Sequence, residues 1–233
     1  MTKIICSLTS WSKRIGQAKS TVDSVLNQTR KPDLIRLNLD FDNFPRGLRD
    51  VPGWVKEYLE KYDNFKVKFE AADMKVWEKI MPTIWDLNED FKDTVLVTVD
   101  DDVQYPETYL EEIETNIKDC DWLCTQHDKL TQGQYMVYSE KALEAFNNEI
   151  DYDFMKNVPL DDDGLYYIMQ KYKLKRGRKI NAKCTDRQAG YSFRRFFVDC
   201  DDVSKLQDTS MDYPFEQFVK ERIYMIKRGI IKQ

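Results

Sequence analysis

Apolar residues along the first hundred positions fall into two alternating rhythms. Ile4, Ile5, Cys6 and Leu8 make a dense run over residues 3–8 that predicts a buried strand, and Ala18, Val22, Val25 and Leu26 then recur at helical spacing until Gln28, Thr29 and Pro32 break the pattern. Ile35, Leu37 and Leu39 alternate with Arg36, Asn38 and Asp40, a period of two that predicts a second strand. Val51, Trp54, Val55, Tyr58, Leu59 and Tyr62 draw one apolar helical face. The alternation K-V-K-F-E at 66–70 offers a third strand, and Trp77, Ile80, Ile84 and Trp85 suggest a helix started or interrupted near Pro82. Residues 94–99 form a continuous β-rich run, as expected of a central strand covered on both faces. Strand and helix alternate four times, which predicts βαβ units, right-handed crossovers and a mainly parallel sheet in an α/β fold.

Beyond residue 105 the rhythm changes. Pro106 can open a helix carrying Tyr109, Leu110, Ile113 and Ile117, and two short strands are predicted at 121–125 and 134–138. Ser139 can cap a helix bearing Ala142, Leu143 and Phe146, and another with Leu165, Ile168, Met169 and Tyr172 is predicted to begin just after Asp161-Asp162-Asp163. Seven Lys or Arg residues crowd 173–187 against the single acid Asp186; a solvated basic face and a loop closing over an anion both fit. Aromatic residues follow at Tyr191, Phe193, Phe196 and Phe197. Phe215, Phe218, Val219, Ile223 and Ile226 then make a helical stripe suited to core docking or a homodimer contact, or to peripheral membrane association. The expected organisation is one domain of 233 residues, with a first half at 1–105, a second at 106–190 and a helical appendage at 191–233.

Charge and cysteine usage narrow the class. Forty-one acids against 36 bases leave a net charge of -5, too mild to suggest a nucleic-acid partner. No run approaches the ~18 apolar residues of a membrane span, and the N-terminus is too short and polar for a signal peptide, so a cytoplasmic protein is expected. Cys6, Cys120, Cys124, Cys184 and Cys200 are an odd set without a C-x-x-C pair, which predicts reduced, mostly buried thiols.

The chemistry concentrates where the apolar run V-T-V, residues 97–99, stops in Asp100, Asp101 and Asp102. In an open parallel sheet, ligands bind at the carboxyl ends of strands, where adjacent carboxylates repel one another unless a cation offsets them. Oxygen-only ligands favour Mg²⁺ or Mn²⁺ over zinc. An exposed acidic turn is the alternative.

Taken in order, I-I-C-S-L-T-S-W-S-K-R-I at 4–15, T-V-D-S-V-L-N-Q-T-R-K-P-D at 21–33, K-V-W-E-K-I-M-P-T-I at 75–84, V-L-V-T-V-D-D-D-V-Q-Y-P at 95–106 and V-P-L-D-D-D-G-L at 158–165 resemble a minimal GT-A glycosyltransferase of the family-2-like kind. The resemblance implies a Rossmann-like sheet, a D-x-D motif and metal-dependent transfer from a nucleoside diphosphate sugar, UDP-linked by default, to a glycan or glycolipid acceptor. It places Asp102 on the metal, Asp100 near the donor ribose and Asp101 in support. Thr9, Ser10, Arg14, Asp40 and Lys79 become donor-binding candidates. In relatives an acidic pair downstream supplies the catalytic base, which nominates Asp162 and Asp163; Gly164 departs from the apolar residue expected next, leaving the register open by one.

An inverting transfer needs such a base to take the acceptor proton. The alternative role for Asp161-Asp162-Asp163 is helix capping, for which one aspartate suffices. His127, the sole histidine, has no partners for a hydrolytic triad. A sugar nucleotidyltransferase would be expected to carry a glycine-rich phosphate loop after the first strand, whereas residues 1–20 hold only Gly16. A non-catalytic glycan-binding or scaffold protein of the same fold is the other alternative.

Overall fold

The computed structural model describes residues 2–124, 136–159, 161–177, 194–195 and 215–231. In chain order these form β1 (Lys3–Thr9), α1 (Ala18–Leu26), β2 (Leu34–Asp40), α2 (Gly53–Lys61), β3 (Phe65–Glu70), α3 (Met81–Asp86), β4 (Thr94–Thr98), β5 (Val103–Gln104), α4 (Tyr109–Asn116), β6 (Trp122–Cys124), β7 (Met136–Ser139), α5 (Glu140–Glu149), α6 (Tyr152–Asn157), α7 (Asp161–Lys171), β8 (Arg194–Arg195) and α8 (Phe215–Lys227). A tight 3-10 turn, Lys75–Lys79, precedes α3.

Six strands make one sheet in the order β3-β2-β1-β4-β7-β6. The first four are parallel, while β7 runs antiparallel to β4 and β6 antiparallel to β7. β5 and β8 pair as a separate antiparallel ribbon. From β1 the chain steps outward to β2 and β3, then returns to place β4 on the other side of β1. The strand order therefore reverses between β1 and β4, and the loops that leave their carboxyl ends flank one crevice.

The even residues of β1, Ile4, Cys6 and Leu8, join Val95 and Val97 in a core with Val22 and Val55, whereas Ile5 and Leu96 join a second core with Trp77, Tyr138 and Phe146. Both faces of the central strands are covered, the reason residues 94–98 show no polar alternation. Gly53 to Lys61 buries Trp54, Val55 and Tyr58, the apolar face read from the sequence.

Local details differ from expectation at helix starts. α4 begins at Tyr109 rather than Pro106, because the Gln28 side chain accepts from the Leu110 N–H at 3.0 Å and donates to the Pro106 carbonyl at 2.7 Å. Ser139 holds the N-cap position of α5 but makes no side-chain capping bond. α7 takes in the acidic run instead of following it, and α6, capped by Asp151 accepting from the Phe154 N–H, was not foreseen. Cys6 and Cys120 are buried free thiols whose pKa values burial raises, that of Cys120 to about 11. The Cys124 side chain, Cys184, Cys200 and His127 lie outside the described residues, as do most of the basic segment and the aromatic cluster at 191–197. Among the described residues no helix is long and apolar enough to cross a membrane.

Candidate active site

Three consecutive aspartates meet three environments at the end of β4. Asp101 is buried: it accepts from the Ser10 hydroxyl at 2.5 Å and is held by the Arg14 guanidinium through both of its oxygens. Asp100 and Asp102 are partly exposed, with side chains 23% and 26% accessible. Asp102 lies 3.9 Å from Arg14, and Asp100 lies 3.7 Å from the Lys79 ammonium. The turn is anchored through its backbone as well. Asp100 N–H donates to the Tyr105 hydroxyl, Val103 N–H to the Thr21 hydroxyl and Tyr105 N–H to the Ser24 hydroxyl, at 3.0 to 3.1 Å. β4 thus brings the chain through the core, the middle aspartate turns inward, and its two neighbours are left at the crevice.

Lys79 connects this edge to the second acidic run. Its ammonium is 3.1 Å from an Asp161 carboxylate oxygen, and that side chain is only 6% exposed. Asp161 starts α7, so the helix that bears Asp162 and Asp163 begins within reach of the strand-end carboxylates. The side chains of Asp162 and Asp163 lie outside the described residues. Gly164 packs tightly where a larger residue was expected: a Cβ there would stand 3.0 Å from Trp77 Cη2 and 3.0 Å from Val158 Cγ1.

Thr9 and Asp40 lead to a group the sequence reading passed over. The Thr9 hydroxyl donates to Glu78 at 2.9 Å, and the carboxylate oxygens of Asp40, Asp73 and Glu78 lie within 4.8 Å of one another. Asp40 is buried, with both oxygens accepting from Asn43 at 2.6 and 2.8 Å. Burial first, and then the Asp40 charge, push the Glu78 carboxyl up to about 8. A signal was present: Glu78 shares an apolar stripe with Met74 and Met81, both buried, and an acid on such a stripe calls for partners.

The residues at the strand end suit a hard divalent cation. Asp102 offers an accessible carboxylate, whereas Asp101, committed to Ser10 and Arg14, has no free oxygen to give. One or two carboxylates with phosphate oxygens and water are the shell such ions take. The arrangement can hold a charged phosphate group beside a cation, with the start of α7 tied to the same edge through Lys79.

Neither a family model nor a curated protein sequence matches the chain. Solved structures do. The crystal structure of Staphylococcus aureus TarS residues 1–349 in complex with UDP superposes with a TM-score of 0.53 at 14% identity, covering 76% of this chain and 57% of that one. A longer TarS structure gives 0.52 at 13% identity, covering 76% and 35%. The 4-diphosphocytidyl-2C-methyl-D-erythritol synthase of Anaerococcus prevotii overlaps over 89% and 97% of the two chains, at 14% identity and a TM-score of 0.48. The chain therefore spans just over half of the TarS fragment it matches. It has an α/β, GT-A-like fold.

Proposed function

We propose that this chain is a metal-dependent glycosyltransferase that moves a sugar from a nucleoside diphosphate sugar, UDP-linked, to a hydroxyl of a glycan or lipid-linked acceptor with inversion. The observation that carries the reading is that Lys79 joins Asp100, beside the partly exposed Asp102 at the β1/β4 crevice, to Asp161 at the start of α7. A bare diphosphate would be repelled by these acids and a cation would not. That TarS was crystallised with UDP supports the choice of nucleotide.

In this reading Asp102 holds Mn²⁺ or Mg²⁺, which when bound neutralises charge on the leaving diphosphate. Thr9, Ser10 and Arg14 line the nucleotide side; Asp101 keeps Arg14 in place, and Asp40, buried and accepting from Asn43 through both oxygens, orders the end of β2 beside them. Asp100 faces the ribose. The acceptor oxygen attacks the anomeric carbon, the bond from that carbon to the phosphate oxygen breaks, and the hydroxyl proton passes to a carboxylate of α7. Asp161 is poorly suited to receive it, being enclosed and paired with Lys79. Asp162, or Asp163 beside it, is assigned that role.

A thermal-shift panel of UDP, GDP and dTDP, each with and without Mn²⁺, tests the reading. UDP at about a hundred times its Kd, with Mn²⁺, is expected to raise Tm by ~5–10 °C, and UDP alone by much less. Asp102→Ala should abolish the Mn²⁺-dependent part. Asp162→Asn should keep it while losing sugar transfer. No response to any nucleotide would favour a non-catalytic scaffold, and a response to nucleoside triphosphates with sugar phosphates would favour a nucleotidyltransferase.

A further inference from the structure

The turn Lys75–Lys79 touches three parts of the cleft that are remote in sequence. Glu78 accepts from Thr9 at the end of β1. Lys79 reaches Asp100 past the end of β4 and Asp161 at the start of α7, at 3.7 and 3.1 Å. Trp77 donates its indole N–H to the Val158 carbonyl at 2.8 Å, three residues before α7. Its ring also abuts Gly164.

These contacts differ in kind yet constrain one distance. An ammonium shared by two carboxylates on separate segments resists their separation, since withdrawing either leaves a partly desolvated charge without its partner. The Trp77 hydrogen bond fixes the chain entering α7, and the absent side chain at Gly164 lets the first turn of the helix close onto the indole. Polar, hydrogen-bonded and steric contacts all hold the start of α7 against the carboxyl edge of the sheet. Asp161 spends its charge inside the protein and is too enclosed to meet a substrate.

We infer that Lys79 and Asp161 are positioning residues: through them the Lys75–Lys79 turn sets how far the start of α7 stands from the end of β4. The inference rests on the transferase reading, in which the proton acceptor is Asp162 or Asp163. It gives Lys79 a task distinct from holding the donor.

The test compares Lys79→Met, Asp161→Asn, the double variant and Lys79→Arg. Three quantities are followed: UDP–Mn²⁺ affinity by calorimetry, UDP release from UDP-glucose and UDP-N-acetylglucosamine, and hydrogen exchange of amides 158–166. Displacing a reacting group by about 1 Å costs on the order of a hundredfold, so each single variant should lower kcat at least ~10-fold. UDP–Mn²⁺ affinity should change by less than about threefold, and exchange should quicken about tenfold as the helix start loosens. The double variant should be no worse than the worse single one, and Lys79→Arg should recover most of kcat.

Two kinetic outcomes overturn the inference. One is UDP affinity falling in step with kcat in Lys79→Met, which makes Lys79 a donor ligand. The other is losses that multiply in the double variant. If the wild-type chain turns over neither donor, the transferase reading loses its support, and exchange alone decides the coupling. Equal, non-multiplying acceleration in the single and double variants upholds it, while unchanged exchange sinks it.

Discussion

Asp100, Asp101 and Asp102 are neighbours in the chain with different surroundings: one faces Lys79, one is sealed under Arg14 and Ser10, and one stands partly exposed at the edge of Arg14's reach. Their presence at a strand end was legible from the apolar run before them. Their separate orientations were not, because Arg14 and Ser10 come from a loop some ninety residues earlier and no local pattern announces the pairing. Glu78 shows the same limit in reverse, a single acid whose partners Thr9 and Asp40 are distant in sequence. With its carboxyl pushed up from 4.5 to about 8, Glu78 holds a proton in the folded state that the unfolded chain releases. The folded form then binds more protons than the unfolded form across that window, so this residue's contribution to stability declines as pH rises through it. Glu78→Gln mimics the protonated carboxyl and cannot ionise. In urea unfolding, the stability of this variant relative to wild type should rise by about 2 to 3 kcal/mol between pH 6 and pH 9. Parallel pH profiles for the two proteins would show that Glu78 does not titrate in this range.

At the scale of elements, strands were the easiest to read. The alternation of Ile35, Leu37 and Leu39 became β2, and the apolar run at 94–99 became β4 and the residue after it. Helix starts were harder wherever a distant side chain decides them, as Gln28 does for α4. The Lys75–Lys79 turn was hidden for another reason: Lys75 has a φ of 58°, a left-handed conformation that nothing in its residue type suggests. The acidic run at 161–163 was recognised, but its first member's pairing with Lys79 spans 82 positions and left no periodic trace. Gly164, an anomaly in the motif, has a steric explanation. Gly164→Ala gains about 1 kcal/mol of helix propensity and pushes a methyl to 3.0 Å from a Trp77 ring pinned by its hydrogen bond to Val158. The clash should win, giving a net loss of about 1 kcal/mol in chemical denaturation. A stabilised variant would mean that the indole can yield.

For the whole molecule, the central sheet joins two cores, one on each face, and neighbouring residues of the same strand serve different sides. Leu96→Ala should cost about 3 kcal/mol. Tryptophan fluorescence and far-UV circular dichroism should report that loss as one coincident transition, since the strand that carries Leu96 also carries Val95 and Val97 of the other core. Separate transitions would mean that the two faces melt apart.

The shared ammonium of Lys79 has a further consequence when formal charges are considered over the crevice as a whole. Asp100, Asp101, Asp102 and Asp161 set four negative charges against the two positive charges of Arg14 and Lys79. The acids outnumber the bases at this edge even before Asp40, Asp73 and the rest of the α7 acidic run are added, an excess that a divalent ion would offset. Under the proposed reading, electroneutrality makes the ion and the nucleotide mutually dependent ligands: each lowers the electrostatic cost of admitting the other, and by linkage each must tighten the other's binding by the same factor.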